Sequence, residues 1–295
     1  MRPAATSHSS GSPLRLLRAT AACCLALWLT GCGLDLLYPR LDSIVAYYIE
    51  DLVTLDRAQS AQLERTLAGN LEWHRDTELG RYAAFLRGLA NSIEDGSDGT
   101  EWRRASQQAE EYLRDLFAQA APGYAAVAAT LTDAQVAELL ASLEQKDEAT
   151  WREFSQRTPA ERRARKEKSV RRTIERFTGP LTAQQRSIVH EYAGRAQPFM
   201  PEWRENRRVW RDALAAALAG RRLGGEFAAR MSQLIARPDE LWTPQYRDAL
   251  DRSRSALVGL LAELDGTLTA RQRSEARQEL LALADQFQGL ARGRG

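Results

Sequence analysis

The sequence predicts an all-α protein, and two features of the chain support this fold class. Apolar residues recur at intervals of three and four positions, the spacing of a helix face, whereas the two-residue alternation of strands is nearly absent. Capping boxes mark the helix starts: a Thr or Asp is followed three residues later by Gln or Glu. These pairs are Asp56 and Gln59, Thr132 and Gln135, Thr158 and Glu161, Thr182 and Gln185, and Thr269 and Gln272. We therefore expect a single elongated multi-helix domain of about eight to ten capped helices.

The longest apolar stripe runs from Leu63 to Leu89 and predicts a helix of about eight turns. A second stripe, from Ala276 to Leu290, predicts the last helix of the chain. Glycine and proline predict where helices stop, because neither residue continues a helix well. The predicted stops are Gly96 to Gly99, Pro122-Gly123, Gly179-Pro180, Pro198 to Pro201, Gly224-Gly225, Pro238 and Asp265-Gly266.

The composition is typical of a globular protein, with 44% hydrophobic and 27% charged positions among 295 residues. A chain of this length can fold around its own core without a metal ion or a disulfide. The three cysteines, Cys23, Cys24 and Cys32, all lie within the first 32 residues. We therefore expect no disulfide, thiolate zinc site or iron–sulfur cluster in the rest of the chain. No cofactor is predicted.

The first residues have the pattern of a secretory signal peptide. Arg2, Arg15 and Arg18 are the charged residues before an apolar stretch, Ala19 to Thr30, which is shorter than the roughly 20 residues of a membrane span. The segment ends in Leu29-Thr30-Gly31-Cys32 and resembles the bacterial lipobox. This resemblance implies a signal peptide over residues 1–31, cleavage before Cys32 and acylation of Cys32. Acyl chains would hold the protein on a bilayer.

The residues after Cys32 predict where the anchored protein resides. Gly33 follows the cysteine, whereas an Asp at this position tends to retain Gram-negative lipoproteins on the inner membrane. We therefore expect the periplasmic face of the outer membrane. Residues 32–41 are predicted to be the acylated cysteine with a short tether that reaches at most about 30 Å, and residues 42–295 the helical domain. The bilayer is the first expected partner, and nucleic acid is not expected outside the cytoplasm.

Several motifs resemble an uncharacterised family of Gram-negative all-helical lipoproteins. They are Trp73-His74-Arg75, the segment Glu78 to Ala83, Gly179 to Thr182 and Trp242 to Arg247. The resemblance extends over essentially the whole mature chain; it implies a helical fold and assigns no catalytic residue. A weaker resemblance, to periplasmic helical chaperones, rests on Leu-Thr-x-x-Gln motifs. These motifs occupy residues 131–135, 181–185 and 268–272.

The one candidate for metal or acid–base chemistry is the pair His74 and Glu78. The two residues are four positions apart on the long apolar stripe, so they could share a metal ion or a proton. No third ligand is evident, and the alternative is a histidine hydrogen-bonded to a carboxylate within a helix interface. We therefore predict no catalytic residue and favour a binding or chaperone-like envelope interaction module. The alternative function is an envelope hydrolase or metal-dependent enzyme that uses His74 and Glu78.

Residues 157–176 contain nine basic and three acidic side chains and predict an amphipathic helix with a cationic outer face. Such a face could contact an anionic envelope surface or an acidic envelope protein, or it could be a solvated surface. The residues proposed to contact an anionic surface are Arg162, Arg165, Lys168, Arg172 and Arg176.

A second charged and aromatic group is formed by Trp203, Arg207 and Trp210. Their spacing places two indoles on one helix face with a guanidinium between them. The group is predicted to be either part of the core or a cage for a ligand.

Overall fold

The computed structural model describes residues 34–96 and 99–293, and the regular structure in these two stretches is entirely helical. The predicted all-α class and elongated domain are confirmed. The helices are α1 (Leu41–Glu50), α2 (Arg57–Trp73), α3 (Leu79–Asp95), α4 (Thr100–Ala129), α5 (Asp133–Ser155), α6 (Pro159–Thr178), α7 (Ala183–Arg195), α8 (Met200–Ala219), α9 (Gly225–Ala236), α10 (Pro244–Asp265) and α11 (Ala270–Ala291). The predicted signal peptide and Cys32 lie outside the described residues.

The predicted long helix around Leu63 to Leu89 is present, but it contains one irregular turn. A π-helical turn, His74–Glu78, joins α2 to α3 without a break, and its widened hydrogen bond runs from the N–H of Leu79 to the carbonyl of His74. A π-turn inserts an extra residue into the helix and rotates the side chains on either side of it. The turn therefore changes which side chains of this helix face each other.

All five predicted capping boxes are confirmed. At the start of α5, for example, the hydroxyl of Thr132 accepts from the N–H of Gln135 at 3.2 Å, and the Gln135 side chain accepts from the N–H of Thr132 at 2.9 Å. A sixth cap, which sequence analysis missed, is at Thr243, whose hydroxyl accepts from the N–H of Tyr246. The sequence signal is weaker there because Tyr246 replaces the Gln or Glu of a capping box.

The predicted stop at Pro122-Gly123 is wrong, because α4 continues through both residues to Ala129. Pro122 removes one backbone donor from the helix. A Cβ atom added to Gly123 would clash with Cγ2 of Thr66. Gly123 therefore allows α2 and α4 to cross closely, and it does not terminate a helix. The other predicted stops coincide with helix ends, as at Gly179, whose φ of 70° ends α6.

The capping glutamines also pair with each other in space. At the starts of α2 and α5, the amide groups of Gln59 and Gln135 donate to each other at 3.1 and 2.6 Å. The Gln59 amide also donates to the carbonyl of Thr130, and the Gln135 amide donates to that of Thr54. We call this reciprocal pair the first glutamine clasp.

The second glutamine clasp joins Gln185 and Gln272 at the starts of α7 and α11. Their amides donate to each other, both at 2.9 Å, and each donates to a carbonyl beside the partner cap, those of Thr267 and Pro180, at 3.0 Å. Each side-chain oxygen also accepts from the N–H of its own cap residue. All donors and acceptors of both buried amides are therefore satisfied.

The apolar core consists of four clusters along the molecule. The largest lies between α3 and α11, which run antiparallel, as the ion pairs Arg87–Asp285 and Arg277–Glu94 show. A second cluster joins α4 and α5 to α8 and α9, a third joins α6 and α7 to α10, and a fourth joins α1, α2 and α4. Within the described residues, no helix has both the length and the apolar character needed to cross a membrane.

The predicted tether is part of the folded domain from Leu34 onward. Residues Leu34–Leu37 form a short helix that continues through a 3₁₀ turn into α1. Leu34 and Tyr38 are 1% and 2% exposed and belong to the cluster between α3 and α11. The segment is packed because Leu34 and Tyr38 lie one helical turn apart and cover the same apolar surface.

We expect Gln185→Leu to lower the free energy of unfolding by about 3 kcal/mol, because several buried groups lose their hydrogen bonds at once. These groups are the Gln272 amide, the Thr267 carbonyl and the Thr182 N–H. Urea unfolding of the purified protein measures the change. The adjacent exposed Gln184 is the matched control, and Gln184→Leu is expected to change stability by less than about 0.5 kcal/mol. Equal effects of the two substitutions would contradict a stabilising role for the second clasp.

Candidate functional site

His74, at the start of the π-turn, lies in a group of aromatic side chains. Its Nδ1 is 3.0 Å from the hydroxyl of Tyr38, and its ring stacks on Tyr38 and meets the edge of Tyr82. Burial lowers the pKa of His74 to about 4. The imidazole is therefore neutral near pH 7, and its Nδ1 shares a hydrogen bond with the Tyr38 hydroxyl.

Glu78, at the end of the π-turn, is fully buried and has a different partner. Its Oε1 accepts from Nη1 of Arg81 at 2.6 Å, and the same guanidinium nitrogen is 2.9 Å from Asp115 of α4. Hydrogen bonds to Asp115 and Glu78 hold the pKa of Arg81 above its usual value. Glu78 therefore helps to attach α3 to α4 through Arg81.

The structure does not support the predicted pairing of His74 with Glu78. The two side chains form no hydrogen bond with each other, because the π-turn changes their relative rotation and each has its own partner. The alternative expectation, a histidine hydrogen-bonded to a carboxylate, is also wrong. The hydrogen-bond partner of His74 is the hydroxyl of Tyr38. Within residues 34–96 and 99–293, no group of three or more His, Cys, Asp or Glu side chains could hold a metal ion.

The predicted amphipathic basic helix is α6. Its apolar side packs inward, with Val170 and Ile174 against α7 and α10 and Phe177 against the cluster between α3 and α11. Thr158 caps its start, and Gly179 ends it. The apolar contacts hold one side of α6 against the domain and leave its opposite side facing solvent.

The five basic residues proposed for α6 differ in their surroundings. Arg162 is half-buried: its guanidinium lies over the ring of Phe154 and donates to the carbonyl of Arg157. The guanidinium of Arg176 is also half-buried, 5.9 Å from the ring of Phe177. These two guanidinium groups therefore have contacts within the domain.

The other three, Arg165, Lys168 and Arg172, are exposed and form no ion pair within the described part of the chain. Their spacing of three and four places them on one side of α6. We call these three side chains the cationic face. Glu161 and Glu175, which flank the face, bond to Thr158 and Arg171. The face is therefore not neutralised by its neighbours.

A pocket of about 210 Å³ lies beside α6, next to α10 and the turn between α7 and α8. Three basic side chains line it together with the apolar Pro198 and Phe199: Lys166, Arg195 and Arg252. Two of these cations have other contacts, since Lys166 lies over the ring of Tyr192 and Arg195 is 3.7 Å from Glu191. The pocket extends the positive charge of α6 toward α10.

Two members of the predicted group at Trp203, Arg207 and Trp210 belong to a helix interface, namely Arg207 and Trp210, whereas Trp203 is half-buried. Arg207 is 8% exposed, and its Nε donates to both carboxylate oxygens of Asp147 in α5, at 3.0 and 3.3 Å. The guanidinium also lies 4.6 Å from the centre of the Trp210 ring, and Arg211 binds the same carboxylate. Arg207 therefore joins α8 to α5 as a buried ion pair. Sequence analysis could not detect this pair, because Asp147 is 60 positions away.

These features define an all-helical protein whose buried polar side chains chiefly join one helix to another. The chain belongs to the family of unknown function DUF6279, whose model matches residues 51–247. The match begins directly after α1 and ends in the first turn of α10, a shorter range than the resemblance predicted over essentially the whole mature chain. No curated protein and no solved structure matches the chain.

Acidification is expected to destabilise the protein through His74. Below a pH of about 6.5 the unfolded imidazole takes up a proton, whereas the folded one stays neutral down to its pKa of about 4. The free energy of unfolding should therefore fall by about 2 kcal/mol between pH 7 and pH 5 through this group alone.

Urea unfolding at both pH values, applied to the wild type and to His74→Phe, measures this contribution. The variant should lose that part of the pH dependence. His190→Gln is the control, because His190 is exposed and paired with Glu167, and it should retain the contribution of His74. The same pH dependence in His74→Phe and the wild type would show that His74 does not cause it.

Proposed function

We propose that this protein is a lipid-anchored helical binding module of the Gram-negative cell envelope, and that it binds an anionic partner through the cationic face of α6. The cationic face is the observation that carries the proposal: Arg165, Lys168 and Arg172 are exposed, form no ion pair with the described residues and lie on one side of a well-packed helix. Such a surface attracts phosphate or carboxylate groups.

The charge of the rest of the chain supports a local binding surface. Removal of Arg2, Arg15 and Arg18 with the predicted signal peptide leaves 38 basic and 39 acidic side chains, a nearly neutral protein. Many of the charged side chains on other helices are paired, as at Arg87–Asp285 and Arg204–Glu148. A partner would therefore be attracted chiefly to α6 and the adjacent pocket.

Cys32 and the segment around it support the anchor. The lipobox-like sequence, the apolar stretch before it and Gly33 after it fit an acylated protein at the periplasmic face of the outer membrane. Attachment at Cys32 would keep the cationic face close to lipid headgroups, the cell wall and other anchored proteins. Binding would then occur at a high local concentration of anionic groups.

Two other functions are less favoured by the geometry. A holdase role rested on the Leu-Thr-x-x-Gln motifs, but Gln185 and Gln272 are buried in the second clasp, and Gln135 is bonded in the first. An enzyme based on His74 and Glu78 is not favoured, because these side chains bind Tyr38 and Arg81 and not each other.

Cys32→Ser should abolish membrane attachment through acyl chains. The thiol is the atom that an acyl group would modify, and without it about 0.8 kcal/mol per buried methylene is lost from membrane binding. Fractionation of cells that express the full chain measures the effect, with wild type in the membrane fraction and the variant soluble or uncleaved. A processed Cys32→Ser protein that still sediments with membranes would contradict the lipid anchor.

Reversal of the cationic face, through Arg165→Glu, Lys168→Glu and Arg172→Glu together, should weaken binding to the anionic partner about 100-fold or more, at roughly 1 kcal/mol per basic residue. The matched control reverses three exposed arginines on α2 and α4, Arg57, Arg65 and Arg103, and produces the same change in net charge. Binding of the wild type should also weaken as salt is raised, since screening reduces interactions between exposed charges.

Photo-crosslinking from position 165 or 168 in native envelopes identifies an acidic protein partner. Co-sedimentation with cell-wall sacculi tests binding to the cell wall, and co-sedimentation with anionic vesicles tests binding to lipid headgroups. Each assay compares the wild type with the two triple variants. Equal binding by the α6 variant and the control variant in every assay would refute the cationic face as the binding surface.

A further inference from the structure

The outer side of α1 carries an exposed aromatic surface that no other part of the described chain covers. The inner side of α1 packs through Val45, Ala46 and Ile49 against α2 and α4. No residue of α1 is fully buried, and Tyr47, at 67%, is the most exposed large hydrophobic side chain of the described residues. The outer side consists of the exposed Pro39, Arg40, Ser43, Tyr47 and Glu50, with the half-buried Ile44 and Tyr48 beside them.

The acidic groups near α1 are bonded to side chains or backbone within the domain. The carboxylate of Glu50 accepts from the hydroxyl of Ser60 on α2, and Asp51 pairs with Lys146 of α5. Asp42 accepts from the N–H of the adjacent Ser43. The outer side itself carries the exposed cation Arg40 at its start and the exposed, hydrogen-bonded Glu50 at its end. Tyrosine rings beside a basic residue are typical of the headgroup region of a membrane.

The position of α1 relative to Cys32 points to the same occupant. Leu34 is buried between α3 and α11, so the chain is fixed to the domain two residues after Cys32. Two residues span at most about 7 Å. An acyl group on Cys32 would therefore hold the start of this helical segment at the bilayer surface with almost no slack.

We propose that α1 lies along the bilayer surface, with the side chains of Tyr47, Tyr48 and Ile44 in the headgroup region and Arg40 beside lipid phosphates. This inference rests on the proposed acylation of Cys32 and adds the orientation of the domain. The alternative orientation is upright. In that case Tyr47, 13 residues after Leu34, would stand about 20 Å above the attachment point at 1.5 Å per residue.

Spin labels placed in the processed full chain distinguish the two orientations. Tyr47→Cys carries the test label, and Leu257→Cys, on the exposed side of α10 and 44% exposed, carries the control label. The acylated proteins are reconstituted into vesicles of phosphatidylethanolamine and phosphatidylglycerol. Collision rates with oxygen, which concentrates in lipid, and with a water-soluble nickel complex are then measured. The ratio of oxygen to nickel collisions should be several-fold higher at position 47 than at position 257.

Vesicle flotation and label uptake by the wild type separate failure of the anchor from failure of this inference. Cys32 is the one cysteine of the predicted mature chain, so an acylated wild type takes up no label and floats with the vesicles. If the protein floats but the ratio of oxygen to nickel collisions is equally low at positions 47 and 257, the proposed orientation of α1 is wrong and the lipid anchor is still supported. A wild type that takes up label and does not float would overturn the anchor, and the orientation with it.

Discussion

The two glutamine clasps are the interaction on which the arrangement of the helices depends. Each capping glutamine satisfies its own helix start and also donates to a second start that is 76 or 87 positions away in the sequence. The second clasp fixes the start of α11 beside the start of α7, and α11 then packs along the whole of α3. Because these amides are satisfied only in this arrangement, an alternative packing would leave buried polar groups without partners.

The clasps also show what the repeated Leu-Thr-x-x-Gln motif does in this protein. A repeated motif at helix starts suggests either a recognition feature or a structural one. Here its glutamines form hydrogen bonds between helix starts, so the motif is structural. Function therefore has to be sought on the surfaces that the clasps leave free. Two such surfaces are distinct in character: the cationic face of α6 and the tyrosine-bearing outer side of α1.

These two surfaces differ from the polar groups inside the molecule, because the inner groups have partners within the domain. Arg207 with Asp147, Arg81 with Glu78, and His74 with Tyr38 are paired within the domain, so these pairs stabilise the packing of the helices. Among the residues that the structure describes, Arg165, Lys168 and Arg172 have no ion-pair partner, and Tyr47 has little apolar cover. An anionic partner on α6 would supply negative charge to the cationic face, and a bilayer under α1 would cover the Tyr47 ring.

The sequence by itself determined the all-α class, the five capping boxes, most of the helix ends and the basic helix, because all of these are set by interactions within a few residues. The tertiary structure decided which caps meet, that Gly123 serves a helix crossing, that Leu34 and Tyr38 are buried, and that a π-turn separates His74 from Glu78. Sequence analysis could not supply these results, because each depends on residues that are distant in the chain or on a rotation within the helix that periodicity does not reveal.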